Sequence, residues 1–138
     1  MLANLGLLAL RLVLGTVFLA HGAQKAFGAF GGPGLARTAG FLGTLGLRPA
    51  RFWAPVAAWG ELAAGALLVL GLLTPLAALL VAATMAVAIA KVHGAKGFFT
   101  QNGGYEYNLV LLVAALTLAV TGPGAFALDR LLGLPSPY

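Results

Sequence analysis

Four long apolar stretches alternate with short polar or glycine-rich connections along the chain, at about residues 2–25, 52–72, 75–92 and 105–121. Each has the length of about 17 to 25 residues that a helix needs to cross a bilayer. The chain lacks the alternating polarity of a membrane-spanning strand. The pattern therefore predicts an all-α protein, an up-and-down bundle of four membrane helices in one domain, 1–138.

The connections between these stretches differ in length. Only "GLLTP", residues 71–75, separates the second and third, which predicts a tight hairpin of antiparallel helices. Residues 28–51 are rich in glycine, and within them Pro33 can open a short helix that Gly46 closes. One side of that helix would be apolar, as expected of a helix lying at the membrane interface. Its apolar side would carry Leu35, Leu42 and Leu45.

Composition supports the membrane class, because 61% of the residues are hydrophobic, 8% are charged, and the mean hydropathy is +0.99. Cysteine is absent, so the chain forms no disulfide and carries no thiolate chemistry of its own. The net charge of +5 indicates a basic face against anionic lipid, since no basic run with interleaved aromatics suggests nucleic-acid binding. Arg11 interrupts the first stretch, which favours a retained helix over a cleaved signal peptide.

Basic residues predict the orientation in the membrane. Most of them lie in or beside the first and third connections, whereas the opposite face has Arg130 next to Asp129. By the positive-inside rule, both termini then lie outside the cytoplasm, and the protein is a multi-pass protein of the prokaryotic cytoplasmic membrane. The basic residues in question are Lys25, Arg37, Arg48, Arg51, Lys91 and Lys96.

Polar residues converge on the same end of the predicted bundle. An up-and-down order brings together the end of the first helix, the end of the third and the start of the fourth. Intramembrane ionisable groups usually mark a substrate, ion or proton path, so we expect a ligand-binding pocket there with its floor near two deeper charges. The candidate ligand-binding residues are Arg11, His21, Gln24, Lys25, Glu61, Lys91, His93, Tyr105, Glu106 and Asn108.

The two deep charges, Arg11 and Glu61, each lie about ten residues from a helix end, or about 15 Å. An unpaired charge at that depth costs about 2.5 to 3.5 kcal/mol on insertion scales. We therefore predict that they pair across the first two helices. Such a pair can belong to a ligand site, or its role can be purely structural, determining which helices pack together.

Simpler interpretations exist for the other candidates. A lone histidine at the interface often has no chemical role, Lys91 and Lys96 are typical topology signals, and Tyr105 is a typical interface aromatic. The convergence of these residue types nevertheless suits a quinone head group, with donors for its carbonyls and groups that exchange protons near neutral pH. A small anion would also fit. Haem between His21 and His93 is a weaker hypothesis, and no motif for a metal site is present.

Four blocks of the chain, in order, resemble the DoxX family of bacterial membrane proteins: "RLVLGTVFLAHGAQKAFGAFGG", "AAWGELAAGALLVLGLLTPLAAL", "VHGAKGFFTQNGGYEYN" and "GPGAFALD". The resemblance implies a four-helix protein of the inner membrane, associated with quinone or thiol redox stress and with complexes of redox enzymes. It supplies positions without a reaction, and the catalytic residues are unknown. The family pattern falls on Arg11, Gly15, His21, Gly22, Lys25, Glu61, Gly65, His93, Gly104, Glu106 and Asp129.

Three functions follow as hypotheses. The first is a membrane subunit of a redox system, an oxidoreductase component that binds quinone or a quinone-like molecule. The second is an adaptor or chaperone that anchors a soluble redox enzyme without catalysis. The third is a permease for a small anion or protons. A homo-oligomer is compatible with each of them.

Overall fold

The computed structural model describes residues 1–135, which are mainly helical and contain no β-strand. A π-helical turn, Ile89–His93, directly continues the fourth helix. Its backbone widens there, which turns the following side chains around the helix axis relative to a regular α-helix. The α-helices are α1 (Leu2–Phe27), α2 (Gly34–Thr44), α3 (Ala50–Leu70), α4 (Thr74–Ala88), α5 (Glu106–Thr121) and α6 (Leu128–Leu131).

Within residues 1–135, three helical segments are long and apolar enough to cross a membrane: Leu2–Phe27, Ala50–Leu70 and Thr74–Lys96. The fourth predicted span, about residues 105–121, corresponds to an apolar helix of 16 residues, Glu106–Thr121, which is shorter than the others. Large apolar side chains also cover the outer surface of the helices; Val110, for example, is 66% exposed. Such a surface suits contact with lipid, so the chain has the character of a membrane protein.

Glycines bring α1 and α3 into close antiparallel contact. A Cβ added to Gly15 would lie 2.8 Å from the carbonyl oxygen of Gly65, and one added to Gly22 would lie 2.6 Å from the backbone nitrogen of Leu62. The two backbones therefore touch at these positions, as in many membrane-helix pairs with small residues at the interface. These contacts also fix the register between α1 and α3, which determines which residues of α1 lie at the same depth as Glu61.

The hairpin between α3 and α4 is as short as "GLLTP" predicts. Helix α3 ends at Gly71, whose left-handed backbone (φ 68°) is the usual helix stop, and Pro75 lies in the first turn of α4. The buried core joins the inner faces of α1, α3, α4 and α5. It contains Leu14, Phe18, Ala64, Leu68, Ala77, Ala78, Val81, Ala82, Met85, Ala115 and Leu118.

Helix α2 occupies the glycine-rich connection where Pro33 predicts a short helix. It packs against both α3 and α1, and its Thr38 is buried. The Thr38 hydroxyl donates to the carbonyl oxygen of Gly34 at 2.7 Å within the helix. Gly46 follows α2 with a positive φ of 79°, consistent with its predicted role in ending the helix. Apolar side chains of α2 therefore lie beside those of α3.

Candidate functional site

A cavity of about 760 Å³ lies among α1, α2, α3, α4 and the start of α5. Its walls are mainly apolar, and its polar side chains come from four separate stretches of the chain. A concave, mostly apolar site with a few convergent polar groups is the usual form of a small-molecule site. The polar lining residues are His21, Lys25, Glu61, Thr84, Lys91, His93, Lys96, Tyr107 and Asn108.

An ion pair between α1 and α3 forms part of this lining. The Lys25 Nζ lies 2.6 Å from the Glu61 Oε2; the Glu61 side chain is 5% exposed and that of Lys25 is 27% exposed. Lys25 is in the last turn of α1, from which its long side chain reaches back toward the middle of α3. A carboxylate at this depth needs such a partner, because an isolated buried charge is strongly unfavourable.

The predicted Arg11–Glu61 pair is wrong. Arg11 is fully buried, and its guanidinium donates to the carbonyl oxygens of Leu68, at 3.1 Å, and Phe126. Because α1 and α3 are antiparallel, a depth of about ten residues is measured from opposite ends of the bundle in the two helices, so equal depth does not place the two charges side by side. The glycine contacts set Glu61 level with about Gly22, which is about ten residues, or roughly 15 Å, from Arg11 along α1.

Arg11 instead belongs to a second polar cluster, near the α3–α4 hairpin. Asp129, 2% exposed, accepts the backbone N–H groups of Leu73 at 2.7 Å and Thr74 at 3.0 Å. Its charge also interacts with that of Arg11. The carboxylate thus caps the N-terminus of α4, where negative charge is favourable, and Arg11 holds the adjoining segment through Phe126. These hydrogen bonds join the hairpin to the segment around α6, and none of the residues in this cluster lines the cavity.

His93 is fixed by the loop that follows the π-helical turn. Its Nδ1 lies 2.7 Å from the carbonyl oxygen of Gly103, and because a carbonyl oxygen only accepts, Nδ1 carries the proton. In a neutral ring, Nε2 is then a hydrogen-bond and proton acceptor. Asn108, 7% exposed, directs its Nδ2 at the Met85 sulfur at 3.6 Å, a weak contact that leaves its other donor and acceptor positions for a ligand.

A family model of DoxX matches residues 6–94. The chain belongs to the DoxX family. The matched segment of this DoxX protein runs from α1 through the π-helical turn, and so contains Lys25, Glu61, Lys91 and His93 together with the α3–α4 hairpin. No curated protein and no solved structure matches the chain.

The DoxX fold brings six of the predicted site residues into the cavity lining and leaves four outside it. Gln24 packs against Gly32 at the end of α1. Tyr105 contacts Phe98 edge to face, with ring centroids 5.6 Å apart. The carboxylate of Glu106 accepts the backbone N–H of Thr100 at 2.7 Å. The residues outside are Arg11, Gln24, Tyr105 and Glu106; those inside are His21, Lys25, Glu61, Lys91, His93 and Asn108.

Several lining residues of this DoxX protein were absent from the predicted set. Lys96 follows His93 by about one helical turn and lines the cavity, although its basic side chain in a connection is also typical of a topology signal. Trp53 and Met85 also line the cavity, but they are apolar and carry no charge or titratable group that would have marked them as candidates. Asp129, in the cluster with Arg11 near the α3–α4 hairpin, could be singled out from the sequence only through the family block "GPGAFALD".

Proposed function

We propose that this DoxX protein is a membrane component of a redox system and that its cavity binds a quinone or a quinone-like aromatic molecule. The observation that carries the proposal is the cavity itself, in which apolar walls meet a buried ion pair and two histidines. Apolar walls with a few hydrogen-bonding groups suit a flat ring with two carbonyl oxygens and an apolar tail.

The apolar lining fits the ring and tail of such a ligand. Phe41 of α2 and Trp53 of α3 offer aromatic faces, and Leu111 of α5 and Val56 of α3 add aliphatic wall. Aromatic pairs prefer offset or edge-to-face contact and stabilise a bound ring beyond the area that they bury. The volume of about 760 Å³ lies within the range of about 300 to 1,000 Å³ typical of small-molecule pockets.

The polar lining suggests a role for each group. Lys25, held by Glu61, would present its remaining N–H donors toward a carbonyl oxygen, and His21 would donate to the same end of the ring. His93, with its proton fixed on Nδ1, would accept a proton at Nε2 or return one when charged. A bound quinone would supply the redox chemistry. Because the chain has no cysteine, any thiol step belongs to a partner, for which a soluble redox enzyme is our proposal.

We further propose that four helices cross the inner membrane, with the cavity end facing the cytoplasm and both termini outside it. Helix α5, at 16 residues, is about 24 Å long, and the apolar residues that flank it would complete a crossing of about 30 Å. Basic residues at the cavity end support the orientation even without Lys25, which is engaged with Glu61.

A binding titration tests this function. Calorimetric titration of the detergent-purified protein with a short-tailed naphthoquinone should give a saturable signal. His21→Ala and Asn108→Leu should each weaken the affinity about tenfold, or about 1.4 kcal/mol. Glu106→Gln is the matched control, because Glu106 lies outside the cavity, and its affinity should equal that of the parent. Lack of saturable binding by the parent protein, or equal losses in the control, would refute the proposal.

A further inference from the structure

The charges around the cavity do not balance. The lining contains Lys25, Lys91 and Lys96 against one carboxylate, that of Glu61. Lys25 and Glu61 neutralise each other at 2.6 Å. Within residues 1–135, Lys91 and Lys96 have neither an ion-pair nor a hydrogen-bond partner. Both come from the segment that follows α4, so the excess positive charge lies on one side of the cavity.

This excess matters for the choice of ligand. A neutral ring gains little from an ammonium group, whereas an anion gains Coulomb energy. Lys91 and Lys96 are exposed to solvent, so water reduces this gain, but an anion in the cavity still interacts with both charges. Glu61 would oppose an anion if its charge were free, but Lys25 cancels it. His21 also lines the cavity and can donate to an anionic oxygen. The site as built is therefore more favourable for a singly charged anion than for a neutral molecule of the same shape.

We infer that the cavity prefers an acidic quinone, one whose ring carries a hydroxyl group, over the corresponding neutral quinone. This inference rests on the proposed function and narrows its substrate class. A hydroxyl group conjugated to a ring carbonyl is a vinylogous carboxylic acid, so it is ionised near neutral pH and spreads its charge over two oxygens. Lys91 and Lys96 pair with that charge, while Phe41 and Trp53 hold the ring.

The test compares two ligands that share the same ring and tail and differ in charge and by one methyl group. The purified protein in a non-ionic detergent is titrated with an alkyl hydroxynaphthoquinone and with its methyl ether, and the ratio of the two dissociation constants is recorded. The parent protein should bind the hydroxyl form about tenfold more tightly. The double variant Lys91→Met/Lys96→Met should bring the ratio close to one, and Lys91→Arg/Lys96→Arg should restore it.

Arg51→Met is the matched control. Arg51 is basic and exposed near the same end of the bundle but does not line the cavity, so its variant should keep the preference of the parent. Equal binding of both ligands by the parent overturns the inference and leaves the proposed function intact. Binding of neither ligand overturns both. A preference that survives in the double methionine variant, or that is lost in Arg51→Met, overturns the assignment to Lys91 and Lys96.

Discussion

The ion pair between Lys25 and Glu61 allows a sharp test of the structure, because the alternative partner for Glu61 is also on α1. The perturbations are Lys25→Met, Glu61→Leu and the double variant. Removing one member of a fully buried pair typically costs about 3 to 5 kcal/mol. Lys25 is 27% exposed, so water in the cavity screens part of the lost interaction, and we expect about 2 to 3 kcal/mol for Lys25→Met.

The double variant should lose less unfolding free energy than the two single variants lose together, because it leaves no unpaired buried charge. We expect a coupling energy of about 1 to 2 kcal/mol from the double-mutant cycle, measured by denaturant unfolding in mixed micelles. The same cycle with Arg11→Met in place of Lys25→Met should give no coupling beyond about 0.5 kcal/mol, since Arg11 lies roughly 15 Å from Glu61 along the helix. Coupling to Arg11, or additive losses for Lys25 and Glu61, would refute the helix register.

Three further predictions concern the packing, the hairpin and the orientation. Gly65→Ala should destabilise the protein by about 2 kcal/mol in the unfolding assay, because its Cβ would lie 2.5 Å from the backbone nitrogen of Leu19. The control Gly6→Ala, whose Cβ would meet nothing within 4 Å, should be neutral or stabilising. Equal effects of the two substitutions would contradict the α1–α3 contact. Asp129→Asn should lower stability by about 1 to 2 kcal/mol through loss of the charged cap on α4, whereas an unchanged melting temperature would contradict that role. A reporter fused after Tyr138 should be active only outside the cytoplasm, and activity of a cytoplasmic reporter there would reverse the orientation.

Features that are determined by the local sequence could be predicted without the structure. Gly71 and Pro75 mark the hairpin because a left-handed helix stop and a helix-opening proline are properties of single residues. Pro33 and Gly46 similarly predict the short helix α2. The convergence of His21, Lys25, Lys91, His93 and Asn108 on one cavity follows from chain order alone, since up-and-down helices place these segments at the same end.

Features that depend on how two helices pack against each other could not be predicted from the sequence. Depth counted along each helix cannot give the register of an antiparallel pair, and this register decides that Glu61 faces Lys25 and not Arg11. The positions of the residues between α4 and α5 depend on the π-helical turn and on backbone contacts. The hydrogen bond from the backbone N–H of Thr100 to the Glu106 carboxylate could therefore not be predicted from the sequence. Apolar members of the cavity were missed because helical spacing does not separate a ligand-facing side chain from a core or lipid-facing one.

The most direct test of the central claim, that the cavity holds a quinone-like ring, is photo-crosslinking followed by peptide mass spectrometry. A naphthoquinone with a photoreactive tail would be bound to the purified protein and irradiated with and without excess unlabelled ligand. If the cavity binds the ring, competable label should fall on α3 and α4 peptides at the cavity wall, including Trp53 and Met85. Label confined to the outer surface of α5, at exposed positions such as Val113, or label that excess ligand does not displace, would contradict it.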